Sequence, residues 1–428
     1  LIAMKFVTEI KDPVHGYIPI SDCERDIIDT LPVQRLRFIK QLAGAEYTYP
    51  GADHSRFCHS VGVMHLAGKF AERLYSLGEI EEDFIQMLRL AGLLHDVGHG
   101  PFSHNYEELL YEKRKLTHED IGQRVVAKSE IADKLSDHGF NPREISTLAV
   151  GRNKKLPTYV NQVIAGIFDA DKIDYLLRDS YFTGVEYGRQ VDAYRIINST
   201  VVVDTHLAVK QAALPSIESF FIARYEMFKA VYYHRSVRSA EILLLMAMRA
   251  SDEELGLTEV DDIEHFLTLT DISVFSKMYE IGGKSREYVD MLRRRKLLKA
   301  AYERVFHFED RAQVSILTSR LLLSSVEKRI KEEAGLDEDV PVVIDTPTLP
   351  SFPYYPGSTT LSDLYIVFEV GEGEYQRIPS SELSILTRSL RTFLDILRVY
   401  TFDEYREQVS KAAKKVLGGE ILSTEVSY

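Results

Sequence analysis

Three histidines and an aspartate fall within ten residues in the stretch HDVGHGPFSH, positions 95–104. A neutral imidazole beside a carboxylate makes a natural donor pair for a first-row divalent metal. Phe84, Leu88, Ala91 and Leu94 recur at helical spacing just before it, which predicts that His95 and Asp96 sit at the end of a buried helix. Gly98, Gly100 and Pro101 then break that helix and let backbone and imidazoles approach a ligand closely. One histidine at a helix C-terminus commonly does no more than complement the dipole. A cluster of three with an aspartate points instead to a site.

A catalytic metal needs more than two protein ligands and an open position. His59, opening a helix in RFCHS, and Asp171, within FDADKIDYLLRD, are the next candidates. Asp171, Tyr175 and Asp179 follow i, i+4, i+8 and share one helix face, flanked by Lys172 and Arg178. Periodicity alone leaves open whether that face is a solvated exterior or the wall of a polar pocket.

The elements that must position these residues are mostly helical. Residues 6–20 alternate loosely around Asp12-Pro13 and Gly16 and predict a short β-hairpin. Apolar spacing predicts helices over 22–42 (split at Pro32), 56–74, 79–94, 106–136 (carrying His118), 161–180 and 216–249. Beyond residue 260, helices are expected over 261–275, 286–306, 313–333 and 383–416, with strands at 340–345 and 365–370 around a Pro-rich loop, 346–357. The fold class is mainly α, a helical core with a short N-terminal β-hairpin and a small C-terminal α+β subdomain.

The 428 residues can bury a sizeable core, and 45% hydrophobic with 27% charged residues is an ordinary globular balance. A net charge of −13 argues against a nucleic-acid-coating protein. The only cysteines, Cys23 and Cys58, make no disulfide framework, so a reducing, cytoplasmic setting is expected. No apolar run approaches the roughly 18 residues that span a bilayer, so no membrane is expected.

His59, His95-Asp96 and Asp171 together form the H…HD…D signature. The segments DPVHGYI, IIDTLPVQRLRFIKQLAGAEYTYPGADHSRFCHSVGV, AGLLHDVGHGPFSH, THE and DADKIDYLLRD resemble, in order and spacing, the HD-domain metal-dependent phosphohydrolases. They are most similar to the sterile-alpha-motif/HD-domain deoxynucleoside triphosphate triphosphohydrolases and their prokaryotic relatives. The resemblance implies an HD phosphohydrolase domain over 4–250, followed over 251–428 by the helical and α+β region.

It also implies roles. His59, His95, Asp96 and Asp171 would hold a divalent metal, which could be Mn, Mg, Fe, Co, Ni or Zn. Asp96, His99 and His118 would form the catalytic group, with His118 as general acid and Glu119 or Asp120 orienting it. Arg56, His99, His104, Lys172 and Arg224 would contact a dNTP's phosphates. Gln41, Tyr175 and Asp179 would read the sugar 3′-hydroxyl, and Leu42 with Tyr232 would exclude a 2′-hydroxyl. Phe228 and Tyr233 depart from the vertebrate pattern, which has histidine and a polar residue there. Asp29, Gln34 and Arg37 match a guanine-reading activator trio for GTP or dGTP, although Thr8 replaces its lysine. Arg295 and Lys299 resemble a pair that a neighbouring subunit contributes in a dimer or tetramer. The implied activity is hydrolysis of dNTP to deoxynucleoside and inorganic triphosphate. Two alternatives stay open: a phosphodiesterase or phosphatase on other nucleotides, and a nucleotide- or nucleic-acid-binding sensor with weak catalysis.

Overall fold

The chain begins with an antiparallel hairpin, Phe6–Asp12 paired with Gly16–Ser21, as the alternation predicted. In this computed structural model, residues 4–308, 320–350, 364–371, 374–389 and 393–418 are described. Ser21 closes the hairpin and caps the next helix, Asp22–Ile28, in a reciprocal capping box with Glu24. Pro32 lies at the start of the short helix Leu31–Arg35, where its missing N–H costs nothing. A Gln41–His54 backbone bond and a Lys40–Ser55 bridge then close a loop onto the helix Arg56–Ser76.

That helix packs along Asp83–Leu94, and Ala170–Thr183 packs against it from the other side. Met64, Leu66, Ala67, Phe70, Leu88, Ala91, Ile173 and Leu176 are buried in one continuous core there. Two buried arginines that enter this core are paired. Arg89 meets both oxygens of Glu24, and Arg35 donates to the carbonyls of Leu269 and His99 while lying over the Phe266 ring. Such pairing is what makes a buried guanidinium tolerable.

Several boundaries differ from the periodicity reading. Residues 106–136 are three helices, His104–Arg114, His118–Lys128 and Glu130–Asp137, because Thr117 and Ser129 start new caps. The helix expected from 161 starts at Ala170, where Asp169 caps it. The expected single helix over 216–249 is Leu214–Met227, a π-helical turn Phe228–Tyr232, and Arg235–Leu255. Arg224, Phe228 and Tyr232 therefore do not follow regular α spacing.

The later region departs further. The helix Gly283–Arg293 ends early, and Lys299–Phe308 is a strand. Arg295 sits in the intervening turn at φ +53°, so Arg295 and Lys299 are not on one helix as the basic run suggested. Lys299–Phe308 pairs antiparallel with Phe393–Thr401, which also pairs with Val343–Asp345 and Thr348–Pro350. A second core lies beside this sheet, formed by Tyr302, Ile330, Val342, Val399 and Val409. A further sheet runs Thr200–Val203, His206–Lys210, Tyr365–Gly371, Glu374–Pro379, so a strand from before residue 250 pairs in parallel with one from after it. The expected helix over 383–416 is instead two short helices, the strand Phe393–Thr401, and Arg406–Leu417. Parts of the expected 313–333 helix and of the 346–357 loop lie outside the described residues. Among the described residues, no helix is long and apolar enough to cross a membrane.

Candidate metal centre and active site

The three core helices bring the H…HD…D residues to one point. His59 leaves the first turn of Arg56–Ser76, His95 and Asp96 follow the end of Asp83–Leu94, and Asp171 lies in the first turn of Ala170–Thr183. His59 Nε2 is 3.0 Å from Asp171 Oδ1 and 3.9 Å from Asp96 Oδ2. His95 Nε2 is 3.2 Å from Asp96 Oδ1 and 3.8 Å from Asp171 Oδ1.

These residues fit a metal. His95 Nδ1 is committed to the Gly92 carbonyl at 2.8 Å, and its Nε2, though buried, makes no hydrogen bond. An orphaned imidazole nitrogen aimed at two carboxylates is costly unless a cation takes its lone pair. His59, His95 and Asp96 offer donor atoms all within 4.8 Å of one another. Burial disfavours a charged His59, yet the Asp171 and Asp174 hydrogen bonds outweigh it and raise the imidazole from 6.5 to about 10. Two imidazoles and two carboxylates suit a divalent transition ion or Mg²⁺.

Beside this group stand two histidines with opposite electrostatics. His99 Nε2 is 3.3 Å from Asp96 Oδ1, and its ring stacks on His118 with centroids 4.0 Å apart. Burial, with Arg56 and His118 nearby, holds His99 well below the ordinary histidine range. His118 is raised, because Glu107 overcomes its burial. Glu107 Oε1 accepts from the His118 backbone N–H at 3.1 Å and lies 2.7 Å from its Nδ1. The partner of His118 is therefore Glu107. Asp120 instead closes a capping box with Thr117, and Glu119 pairs with Arg152.

The cationic set is arranged unevenly. Arg56 donates to Asp96 Oδ2 at 2.6 Å and to Ser103 Oγ at 2.7 Å, and with the nearby histidines it keeps Asp96 well below the carboxylate range against its burial. Lys172 Nζ is tied to Asp169 at 2.6 Å. His104 is mostly exposed and leans on Glu107 Oε2 at 3.2 Å. Arg224 is buried, with its guanidinium over the Phe228 ring.

The Asp171–Tyr175–Asp179 face turns inward. Tyr175 and Tyr232 meet edge to face with centroids 6.2 Å apart. Both oxygens of Asp179 are used, one by His54 Nε2 and one by the Tyr232 hydroxyl, each at 2.7 Å. Gln41 Oε1 is buried without a partner. Leu42 and Tyr232 both border the main core, Leu42 also packing with Tyr49, Ala45, Ala52 and Val237, and Tyr232 with Phe228, Tyr233 and Ile396.

Of the remaining residues, Asp29 is exposed at the end of Asp22–Ile28. Gln34 donates to the Ile28 carbonyl beside it, and Arg37 donates to Gln34 Oε1 at 2.8 Å while lying over Phe57. Arg295 Nε donates to the Tyr47 carbonyl at 2.9 Å. Sequence reasoning missed Glu107, Ser103 and Asp174. Asp174 carried a signal: a carboxylate among Ile173, Leu176 and Leu177, off the polar face, must be buried and must be paired.

Comparison with known proteins matches the HD domain family over residues 56–188 and the HD associated region over residues 191–427. The chain is 33% identical over 311 residues to the deoxynucleoside triphosphate triphosphohydrolase SAMHD1 homolog of Dictyostelium discoideum, covering 68% of this chain and 59% of that protein. An uncharacterised protein of Methanocaldococcus jannaschii is 32% identical, over 89% of this chain and 76% of its own. The crystal structure of a hypothetical protein from Aquifex aeolicus superimposes with a TM-score of 0.75 at 29% identity, over 95% of this chain and all of that one.

Proposed function

The chain belongs to the HD-domain family of metal-dependent phosphohydrolases, and from that premise we propose that it hydrolyses deoxynucleoside triphosphates to deoxynucleoside and inorganic triphosphate. The single observation that carries this reading is the convergence of His59, His95, Asp96 and Asp171, with His95 Nε2 buried and unbonded among them and the His118–Glu107 pair beside them. Similarity to the Dictyostelium triphosphohydrolase supports the substrate class. A divalent cation held by His59, His95, Asp96 and Asp171 would supply positive charge at a phosphoryl oxygen and acidify a bound water.

The chain's own residues do the rest. Arg56, steadied by Ser103 and Asp96, presents fixed positive charge to the phosphates, as does the buried Arg224. His99 stays neutral beside Asp96 and accepts or donates a hydrogen bond without adding charge. As a water oxygen bonds to the α-phosphorus and gives up a proton to solvent, the P–O5′ bond breaks, and the leaving O5′ takes its proton from His118, whose imidazole Glu107 raises above the ordinary histidine value. Tyr175 and Tyr232, with the Asp179–His54 pair behind them, form the sugar wall. The set Arg56, His99, His104, Lys172 and Arg224 also favours a multiply charged substrate over a monoester.

The test is incubation with each dNTP and NTP under Mn²⁺ or Mg²⁺, with products separated by ion exchange. Triphosphate from dNTPs, abolished by His95→Ala, is expected; pyrophosphate, or action on NTPs alone, overturns the substrate assignment. Activation by GTP or dGTP through Asp29, Gln34 and Arg37 is part of the same proposal, since a carboxylate suits guanine N1–H and N2–H₂ while Arg suits O6 or N7. Rate and solution mass that do not change on adding either nucleotide remove it.

A further inference from the structure

The hairpin turn Asp12-Pro13-Val14-His15-Gly16 has no place in the chemistry so far, yet its two polar side chains point inward. Asp12 Oδ1 accepts from the backbone N–H groups of Val14 and His15 at 2.9 Å, and Gly16 supplies the left-handed turn at φ +79°. Asp12 Oδ2 is thereby free to take Arg178 Nη1 at 2.7 Å. His15 Nε2 lies 2.6 Å from Asp174 Oδ1. The side chains of His15, Asp12, Asp174 and Arg178 are at most 5% exposed.

These contacts converge on one metal ligand. Asp174 Oδ2 is 2.7 Å from His59 Nδ1, and Arg178 clamps both Asp174 oxygens from Nε and Nη2 at 2.8 and 3.0 Å. Arg178, a donor only, needs acceptors, and Asp174 needs donors; His59 Nδ1–H and His15 Nε2–H complete its set. A His59 that donates from Nδ1 to Asp174 directs Nε2 toward Asp96 and Asp171, where it meets Asp171 Oδ1 at 3.0 Å, and would offer its lone pair there to a bound ion. The packing is built for this approach. A Cβ at Gly62, one turn beyond His59, would lie 1.9 Å from Asp174 Oδ1 and 2.4 Å from Arg178 Nη2.

We propose that the N-terminal hairpin is part of the metal centre. Asp12 and His15 act as positioning residues that hold Asp174, and through it the tautomer and angle of His59. The proposal rests on the metal-centre reading above. Carboxylate partners of ligating imidazoles fix which nitrogen binds and raise its basicity.

The test is titration of the metal-free full chain with Mn²⁺, reading free ion by electron paramagnetic resonance, with circular dichroism to check folding. His15→Leu should lose about 10- to 100-fold in Mn²⁺ affinity with stoichiometry unchanged. His15→Gln, whose amide can still donate to Asp174, should recover most of the loss. Asp12→Asn keeps the turn acceptor while weakening the Arg178 contact, and should fall between the two; it also carries the test if His15→Leu does not fold. Wild-type affinity in folded Asp12→Asn and His15→Leu overturns the proposal, as does His15→Gln binding as weakly as His15→Leu. His95→Ala separates the two readings. If it binds Mn²⁺ as tightly as wild type, the metal centre itself is wrong and this proposal falls with it.

Discussion

Gly98→Ala probes how closely the catalytic stretch must approach the helix that carries His118. A Cβ at Gly98 would lie 2.0 Å from the His118 carbonyl oxygen, 2.3 Å from Gly122 N and 2.7 Å from Gly122 Cα. All three are backbone atoms, and ordinary contact begins at 3.4 Å, so the two segments must part by over an ångström. Overpacking that no side chain can relieve belongs at the upper end of the usual range, about 3 kcal/mol. For a chain of this size that lowers the melting temperature by roughly 3–4 °C. The same movement separates His118 from His99, now stacked at 4.0 Å, and misplacement on that scale costs about 100-fold in rate. Gly122→Ala is the matched control, because its Cβ meets Gly98 N at 3.5 Å and Cα at 3.7 Å, which is ordinary contact. Calorimetry and turnover at saturating metal should show Gly98→Ala destabilised and slow, and Gly122→Ala close to wild type. Equal melting temperatures and rates for the two variants would refute the reasoning.

Glu107→Gln removes the carboxylate that raises His118. A general acid must be protonated, so kcat falls as pH rises through its pKa, and the variant's high-pH limb should move to lower pH. A limb left at the wild-type position counts against His118 as the acid. His118→Ala should lower kcat by about 10²- to 10⁴-fold, and a smaller loss counts the same way. Asp271 accepts from the backbone N–H groups of Lys40 and Phe102, and burial pushes it from 3.8 up to about 6. With the folded value above the unfolded one, its stabilising share is complete below about pH 4 and is lost as pH rises through 6, a change of about 3 kcal/mol. Asp271→Asn does not titrate, so its unfolding free energy minus that of wild type, from urea titrations, should rise with pH over that window. A pH-independent difference contradicts it.

The proposed metal ligands were legible in two ways: His95 and Asp96 from their local motif, and His59 and Asp171 only through the resemblance, because spacing left the Asp171 face open between exterior and pocket wall. His95-Asp96 announces itself after a buried helix, and Asp171 heads a face that repeats at helical spacing. What supports them was not legible, because it is set by tertiary pairing. Glu107 and His118 are eleven residues apart in different helices, and His15 reaches Asp174 across 159 residues. The contacts of Asp179 to His54 and Tyr232, one on each carboxylate oxygen, likewise join residues far apart in the chain. In the later region, the Leu-, Lys- and Arg-rich run at 292–299 has helical propensity, but the following strand Lys299–Phe308 is set by pairing with Phe393–Thr401. The π-helical turn Phe228–Tyr232 has no periodic signature, since it adds a residue to an otherwise regular pattern.

The most direct measurement is hydrolysis of a dNTP in ¹⁸O-labelled water, with mass spectrometry of both products. Attack at the α-phosphorus predicts inorganic triphosphate carrying one ¹⁸O and an unlabelled deoxynucleoside. Label in the deoxynucleoside, or release of pyrophosphate or orthophosphate in place of triphosphate, would contradict the account.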